Sequence, residues 1–370
     1  MARILYFSRD YTTHDHRFLS ALAKSEHQVY FLQLEQRGQA LEDRPIPAGI
    51  ERIHWAGGEG PATLRRGPGL LLDLRRVLRE IQPDLVHAGP LQRAALLVAL
   101  AGYRPLVSMS WGYDLIHDAH RNPLWRWATR YTLQRSALMI GDCTTIRQLA
   151  VSYGMPDERI ITFPWGVDLR HFSPVPSKAG SQTFTLLSTR GWEPIYGVDV
   201  IARAFVQATR RRPELRLVML GSGSLAGMLR QTFQSGGVES QVLFPGLVTQ
   251  ADLPRYYRMA DLYISASHSD GTSISLLEAM ACGRPSLVSD IPGNREWVNP
   301  GESGWWFRDG DAGSLAEGIL KAVEKREQLP AMGKTARCIA EQRADWEKNF
   351  PRLLDGYRLV LSQAQVWNPS

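Results

Sequence analysis

Short β-branched or aromatic runs alternate with amphipathic helical stretches along the whole sequence, the pattern of parallel sheets joined by crossover helices. In the first half the strand candidates are Ile4–Phe7, Gln28–Leu32, Leu85–His87, Leu106–Met109, Leu138–Ile140 and Ile160–Phe163, with helices expected near 16–24, 70–81, 91–101, 123–135 and 144–153. A second set follows at Phe184–Ser188, Leu217–Leu220, Val242–Phe244, Leu262–Ser265, Ser286–Ser289 and Gly304–Phe307. Between the sets, the Pro, Gly and Ser of Pro174–Gln182 mark a linker able to carry a hinge. Asp345–Gln363 reads as one final helix with no strand after it, its apolar residues falling near helical spacing. A length of 370 residues accommodates two such units. The fold class expected is therefore α/β, with two doubly wound Rossmann-like domains and a C-terminal helix.

Charge and cysteine content narrow the partners. The formal net charge is +6, and because six of the 43 basic residues are lysines, 37 are arginines, whose planar fork suits phosphate. No run of adjacent basic residues exceeds Arg210–Arg212, so nucleic acid is not expected. Three cysteines without CxxC spacing argue against a disulfide framework or zinc cluster and for a reducing compartment, which places the chain in the cytoplasm. The longest apolar run, Ala94–Ala101, is far short of the roughly 20 residues of a bilayer crossing, and the opening ARILYFS is strand-like, unlike a cleavable leader.

The most informative segment is Asp270–Pro285, DGTSISLLEAMACGRP, between two strands. Asp270 and Gly271 belong to a turn, Ser273 or Ser275 can cap a helix, and Gly283 can close it ahead of Pro285. Such a helix aims its N-terminus at the carboxyl end of a parallel sheet, a position suited to phosphate. The carboxylates Asp270 and Glu278 cannot bind a diphosphate, but they can accept hydrogen bonds from sugar or ribose hydroxyls beside it.

The stretch 270–298 resembles the E-x7-E segment of the family 4 glycosyltransferases, with Asp270 in place of the first Glu. PWGVDLRHFSP at 164–174 resembles that family's NGVDxxxFxP signature, and STRGWEPIYGVDVIARAF at 188–205 resembles the stretch whose Arg and Lys hold the donor diphosphate. The resemblance implies a GT-B fold: an acceptor domain over 1–170, a donor domain over 171–345 with a linker at about 172–182, and a crossover helix and tail over 346–370 packing back on the first domain. It implies a retaining transfer of a hexose-type sugar from a nucleotide diphosphate sugar to a hydroxyl of a glycan, lipid-linked or small acceptor, with no cofactor and no metal. Asp114, Arg190 and Asp270 become catalytic candidates. Donor binding falls to Arg190, Tyr196, Gly271, Thr272, Ser273, Ile274, Ser275 and Glu278, and acceptor binding to His14, Asp15, Arg17 and Trp111. Tyr196 stands where the family's usual Lys would be, and Trp111 where it has His before Gly. These departures, together with Asp270, keep open a non-catalytic nucleotide-sugar-binding subunit, and a sugar-nucleotide epimerase on the same fold is a second alternative.

Two further fragments have simpler explanations. Gly221–Gly227 follows a strand, but its spacing is GxGxxxG, not that of a dinucleotide fingerprint. Asp309-Gly-Asp311 mimics a metal-binding pair, yet Ser314 to Glu317 reads as a capping box beginning a helix. The arginines of 65–79 and the Arg and Trp residues of 121–135 read first as solvated basic faces, and otherwise as peripheral contact with an anionic membrane at its inner face.

Overall fold

The computed structural model describes residues 1–36, 42, 44–175 and 182–367. The chain divides into two compact units, Met1–Phe163 with Phe350–Ser370, and Pro164–Asn349. Most of the expected linker, residues 176–181, lies outside the described residues.

The first unit holds a seven-stranded parallel sheet: β1 (Arg3–Ser8), β2 (Gln28–Gln33), β3 (Ile50–Arg52), β4 (Leu85–Gly89), β5 (Leu106–Met109), β6 (Leu138–Gly141) and β7 (Ile160–Thr162), in the order β3-β2-β1-β4-β5-β6-β7. The second holds β8 (Phe184–Ser188), β9 (Leu215–Leu220), β10 (Val242–Gly246), β11 (Leu262–Ser265), β12 (Ser286–Ser289) and β13 (Gly304–Phe307), in the order β10-β9-β8-β11-β12-β13. Both are doubly wound, and their strand order reverses at β1/β4 and at β8/β11. Ligands bind such sheets at these switch points, beyond the carboxyl ends of the strands.

Along β9, Leu217 and Met219 join the core beneath the helices Val198–Thr209 and Ala312–Glu324, while Val218 and Leu220 join the opposite core beneath Ile274–Ala281 and Leu329–Arg343. A strand covered on both faces reads as a continuous apolar run, which is why these strands were legible in the sequence.

Several boundaries differ from expectation. Strand β3 has three residues with only Ile50 apolar, too little to stand out from a loop. The first helix begins at Thr13, because Thr12 and Asp15 form a capping box there. The stretch 91–101 divides into a π-wound Leu91–Ala95 and a helix Leu96–Ala101. The final helix is two, Trp346–Asn349 and Pro351–Trp367, because Pro351 has no N–H to continue the first. Helix Ala312–Glu324 is capped by Asp311, which accepts from Ser314 N at 2.9 Å, so Ser314 lies inside the helix and does not begin it.

The second unit also reaches further than 171–345. Val167 N donates to Ala344 O (2.8 Å) and Trp346 N donates to Val167 O (3.2 Å), pairing the segments that open and close this unit. Gly166 permits the approach: its φ is +66°, and a Cβ there would meet Ala344 O at 2.4 Å. Helix Pro351–Trp367 then belongs to the first unit. Leu353, Tyr357 and Val360 are buried, and a Cβ on Gly356 would stand 2.8 Å from Leu138 Cδ2 on β6. The Tyr357 hydroxyl reaches Nδ1 of His87 on β4 at 2.5 Å, and burial lowers the His87 imidazole to about 3, so the ring is neutral at physiological pH. Among the described residues, no helix is long and apolar enough to cross a membrane.

Candidate functional site

In the second unit, β8 and β11 run side by side, so the turns leaving them, Thr189–Gly191 and Ala266–Thr272, emerge together. The first turn is pinned by Trp192, whose N donates to Ser222 O (2.9 Å) and whose indole donates to Leu220 O (3.0 Å). Arg190 is thereby aimed at the second turn. Its Nη2 pairs with Asp270 Oδ2 at 2.7 Å, and its Nη1 donates to Ser273 Oγ (3.0 Å) and Ser275 Oγ (3.2 Å). The face of the guanidinium lies 4.2 Å from the centre of the Tyr196 ring. The two charged side chains retain 13% and 19% exposure, so the pair is largely buried yet still touches solvent. Burial is the largest influence and opposes the Arg190 charge, but Asp270 together with Tyr263, Tyr196 and Tyr257 outweighs it, and the guanidinium pKa is raised. Burial lifts the Asp270 carboxyl against the pull of Arg190.

Gly271 and Thr272 complete the turn, and Ser273 is the N-cap of helix Ile274–Ala281. The expected side-chain cap is absent: neither Ser273 nor Ser275 bonds back to the first-turn amides, because both hydroxyls are engaged by Arg190. The first-turn N–H groups and the positive end of the helix are therefore presented beside Arg190, the only cation of this cluster among the described residues. Little more than one turn along, Glu278 is 5% exposed, and its Oε2 accepts from the Tyr257 hydroxyl at 2.8 Å. The same hydroxyl lies 3.0 Å from Thr189 Oγ, which ties Glu278 to the β8 turn. Burial, reinforced by Glu278, raises the Tyr257 phenol well above its ordinary value, so it remains a donor.

Three residues of this arrangement were not found from the sequence: Tyr257, Tyr263, whose hydroxyl donates to Ser275 Oγ at 2.9 Å, and Gly293. A Cβ on Gly293 would meet Gly271 O at 2.3 Å and Asp270 O at 2.5 Å, so the following loop is packed against the backbone of the Asp270 turn. Gly293→Ala is expected to displace that turn and cost about 1–3 kcal/mol, the usual range for overpacking, measured by denaturant unfolding.

The candidates of the first unit separate into two groups. His14 and Trp111 are brought together with ring centres 5.7 Å apart, and Arg17 Nη2 lies 3.4 Å from His14 Nδ1. Asp15 and Asp114 are not positioned for an acceptor. Asp15 is fully buried and accepts from Thr12 N (2.9 Å) and the Tyr6 hydroxyl (3.1 Å). Asp114, also fully buried, accepts from Leu91 N (3.0 Å), Ser110 Oγ (2.6 Å) and Trp111 N (3.1 Å), fixing the loop that carries Trp111. Burial pushes each of these carboxyls up to about 6 against the hydrogen bonds that hold it. Asp309, the other half of the apparent metal pair, bonds His268 Nδ1 at 2.7 Å.

Residues 174–338 match the family described as glycosyl transferases group 1, and residues 12–171 match glycosyltransferase family 4. The chain belongs to the family 4 glycosyltransferases. Among its relatives in the family, the D-inositol 3-phosphate glycosyltransferase of Paenarthrobacter aurescens is 27% identical over 92% of this chain and 91% of its own. The enzyme of that name from Thermobispora bispora is also 27% identical, over 61% of this chain, but the match spans only 56% of that relative's length. The solved structure of Anabaena Alr3699/HepE in complex with UDP superimposes with a TM-score of 0.78 at 20% identity, covering 96% of this chain and 99% of that one. The fold is GT-B.

Proposed function

We propose that the protein transfers a hexose-type sugar from a nucleotide diphosphate sugar to an acceptor hydroxyl, with retention of configuration. The observation that carries this reading is the convergence of Arg190, the Ile274–Ala281 N-terminus and Glu278 at the β8/β11 switch point. Arg190 and the first-turn amides would hold the diphosphate, and Glu278 the ribose hydroxyls. Asp270 neutralises Arg190 at 2.7 Å, so an incoming diphosphate would take over the guanidinium and free Asp270 to accept from the donor sugar. As the bond from the anomeric carbon to the diphosphate breaks, Arg190 and the amides would stabilise the charge on the departing oxygens. The acceptor oxygen then bonds to that carbon on the same face, and its proton passes to a diphosphate oxygen. This reading requires neither a metal nor a cofactor.

UDP is the first nucleotide to test, since the HepE structures are complexes with UDP and with UDP-glucose. A phosphorylated polyol stands beside glycans and lipid-linked glycans among the acceptors, because the relatives are named for inositol 3-phosphate. Arg17 would offer it a cation, His14 a ring nitrogen and Trp111 an aromatic face. The deciding experiment is thermal unfolding with UDP, GDP and ADP. A ligand at a hundred times its Kd stabilises by about 2.7 kcal/mol, so one base is expected to raise the Tm while the others leave it in place. No stabilisation by any of the three would overturn the reading. Stabilisation without release of nucleoside diphosphate in the presence of acceptors would favour a binding subunit instead, and a changed nucleotide sugar formed without acceptor would favour an epimerase.

Tyr196 occupies the position of a second cation and instead supports the first. Tyr196→Phe is expected to keep UDP affinity, and Tyr196→Leu to lower it roughly 3- to 30-fold, the range of a cation–π contact of about 0.5–2 kcal/mol. Titration calorimetry compares the two. Equal affinities would show that the ring does not act on Arg190.

A further inference from the structure

Three arginines of the first unit stand just ahead of three neighbouring strands. Arg104 lies two residues before β5, Arg135 three before β6 and Arg159 immediately before β7, and these strands are adjacent in the sheet. The parallel order brings the three side chains to one cavity of about 240 Å³, with Gln134 and Gln363 on its wall and no carboxylate among its lining residues. Among the described residues none of the three is in an ion pair. Arg135 rests against the Tyr131 ring, 5.2 Å from its centre. The cavity opens at the amino ends of the strands, whereas Trp111 and its loop follow the carboxyl end of β5, about 13 Å away along a four-residue strand.

Three like charges converging on one cavity without a counter-charge repel one another, and their guanidinium forks present parallel N–H donors suited to a tetrahedral oxyanion. We propose that this cavity is a phosphoryl-binding site separate from the sugar-transfer site. Its ligand carries at least two oxygens of a phosphate group, as free phosphate does and as the headgroup of an anionic lipid does. The neighbouring groove, which shares Gln134, carries Arg126, Arg130 and Trp127, and Trp127 is 48% exposed with its ring stacked on Tyr131 at 5.2 Å. A headgroup held by the three arginines would leave its lipid surface facing that groove, whereas free phosphate would make no use of it.

The test compares the whole protein with the triple variant R104Q/R135Q/R159Q in two arms: titration with inorganic pyrophosphate, and sedimentation with phosphatidylcholine vesicles made with or without one third phosphatidylglycerol. Comparing the two proteins cancels phosphate binding at any other site, so the result does not depend on the transferase reading. Each arginine near an anionic surface is worth about a fivefold change in partition, and the triple variant is expected to lose roughly a hundredfold on phosphatidylglycerol vesicles if the ligand is a headgroup. That attraction should fade as salt shortens the Debye length below about 8 Å. Trp127→Ser would then weaken vesicle binding while leaving pyrophosphate binding unchanged. If the ligand is free phosphate, the loss appears with pyrophosphate alone, at least tenfold, and R104K/R135K/R159K recovers only part of it because an ammonium lacks the fork. Unchanged UDP affinity and an unchanged melting temperature in the triple variant would show that the loss is local. A triple variant indistinguishable from the parent in both arms would overturn the proposal.

Discussion

Arg190→Ala is expected to lower transfer turnover about 10²–10³-fold, the range seen when one preorganised donor to developing negative charge is removed. Among the described residues the side chain makes polar contacts to Asp270, Ser273 and Ser275, and it is the single cation of the cluster. Charged hydrogen bonds contribute about 1.5–3 kcal/mol each, so affinity for UDP should fall roughly 10- to 150-fold. UMP lacks the β-phosphate and should lose less, and calorimetry with both nucleotides reads the difference. Losing Arg190 also strands Asp270, so Arg190→Ala/Asp270→Asn should regain stability lost by the single variant without regaining affinity. Equal losses for UDP and UMP would mean that Arg190 does not touch the β-phosphate.

Glu278→Ala should have the second largest effect, and on a different part of the ligand. A carboxylate held at 5% exposure with one oxygen on Tyr257 can accept from paired ribose hydroxyls, each bond in the same range of about 1.5–3 kcal/mol. UDP affinity is expected to fall about 10- to 100-fold. The sharper measurement is the ratio of affinities for UDP and 2′-deoxy-UDP. The parent should discriminate between them and the variant should not. A ratio that survives the substitution would remove Glu278 from the ribose.

The two predictions depend on how differently these residues were legible. Strands buried on both faces, such as Leu262–Ser265 and Ser286–Ser289, appear in the sequence as short runs with β-branched, aromatic or leucine centres, and the structure reproduces their ends to the residue. Helix starts were less legible because the capping residue had to be chosen among neighbours: Asp311 does the capping where Ser314 was the candidate, and Thr12 caps a helix expected to begin near residue 16. Asp15 and Asp114 were misread for a related reason, since a carboxylate in a loop can bind a substrate or tie its own backbone, and only burial tells the two apart. The Arg190–Asp270 pair could not be read at all. Its members are 80 positions apart, and they meet because β8 and β11 are neighbours in the sheet. Tyr257 and Gly293 reach the site through the same register, and no local pattern marks them.

The pairing of Val167 with Ala344 and Trp346 bears on how the protein is made. The second unit is one uninterrupted stretch, Pro164–Asn349, and holds all its own contacts once residue 349 has been synthesised. The first unit is not: the cover of its β6 and β7 surface and the hydroxyl partner of His87 arrive only with helix Pro351–Trp367. Translation therefore finishes the later unit before the earlier one, against the usual N-terminal-first order. The unit begun first must wait with part of its apolar surface uncovered until helix Pro351–Trp367 has left the ribosome.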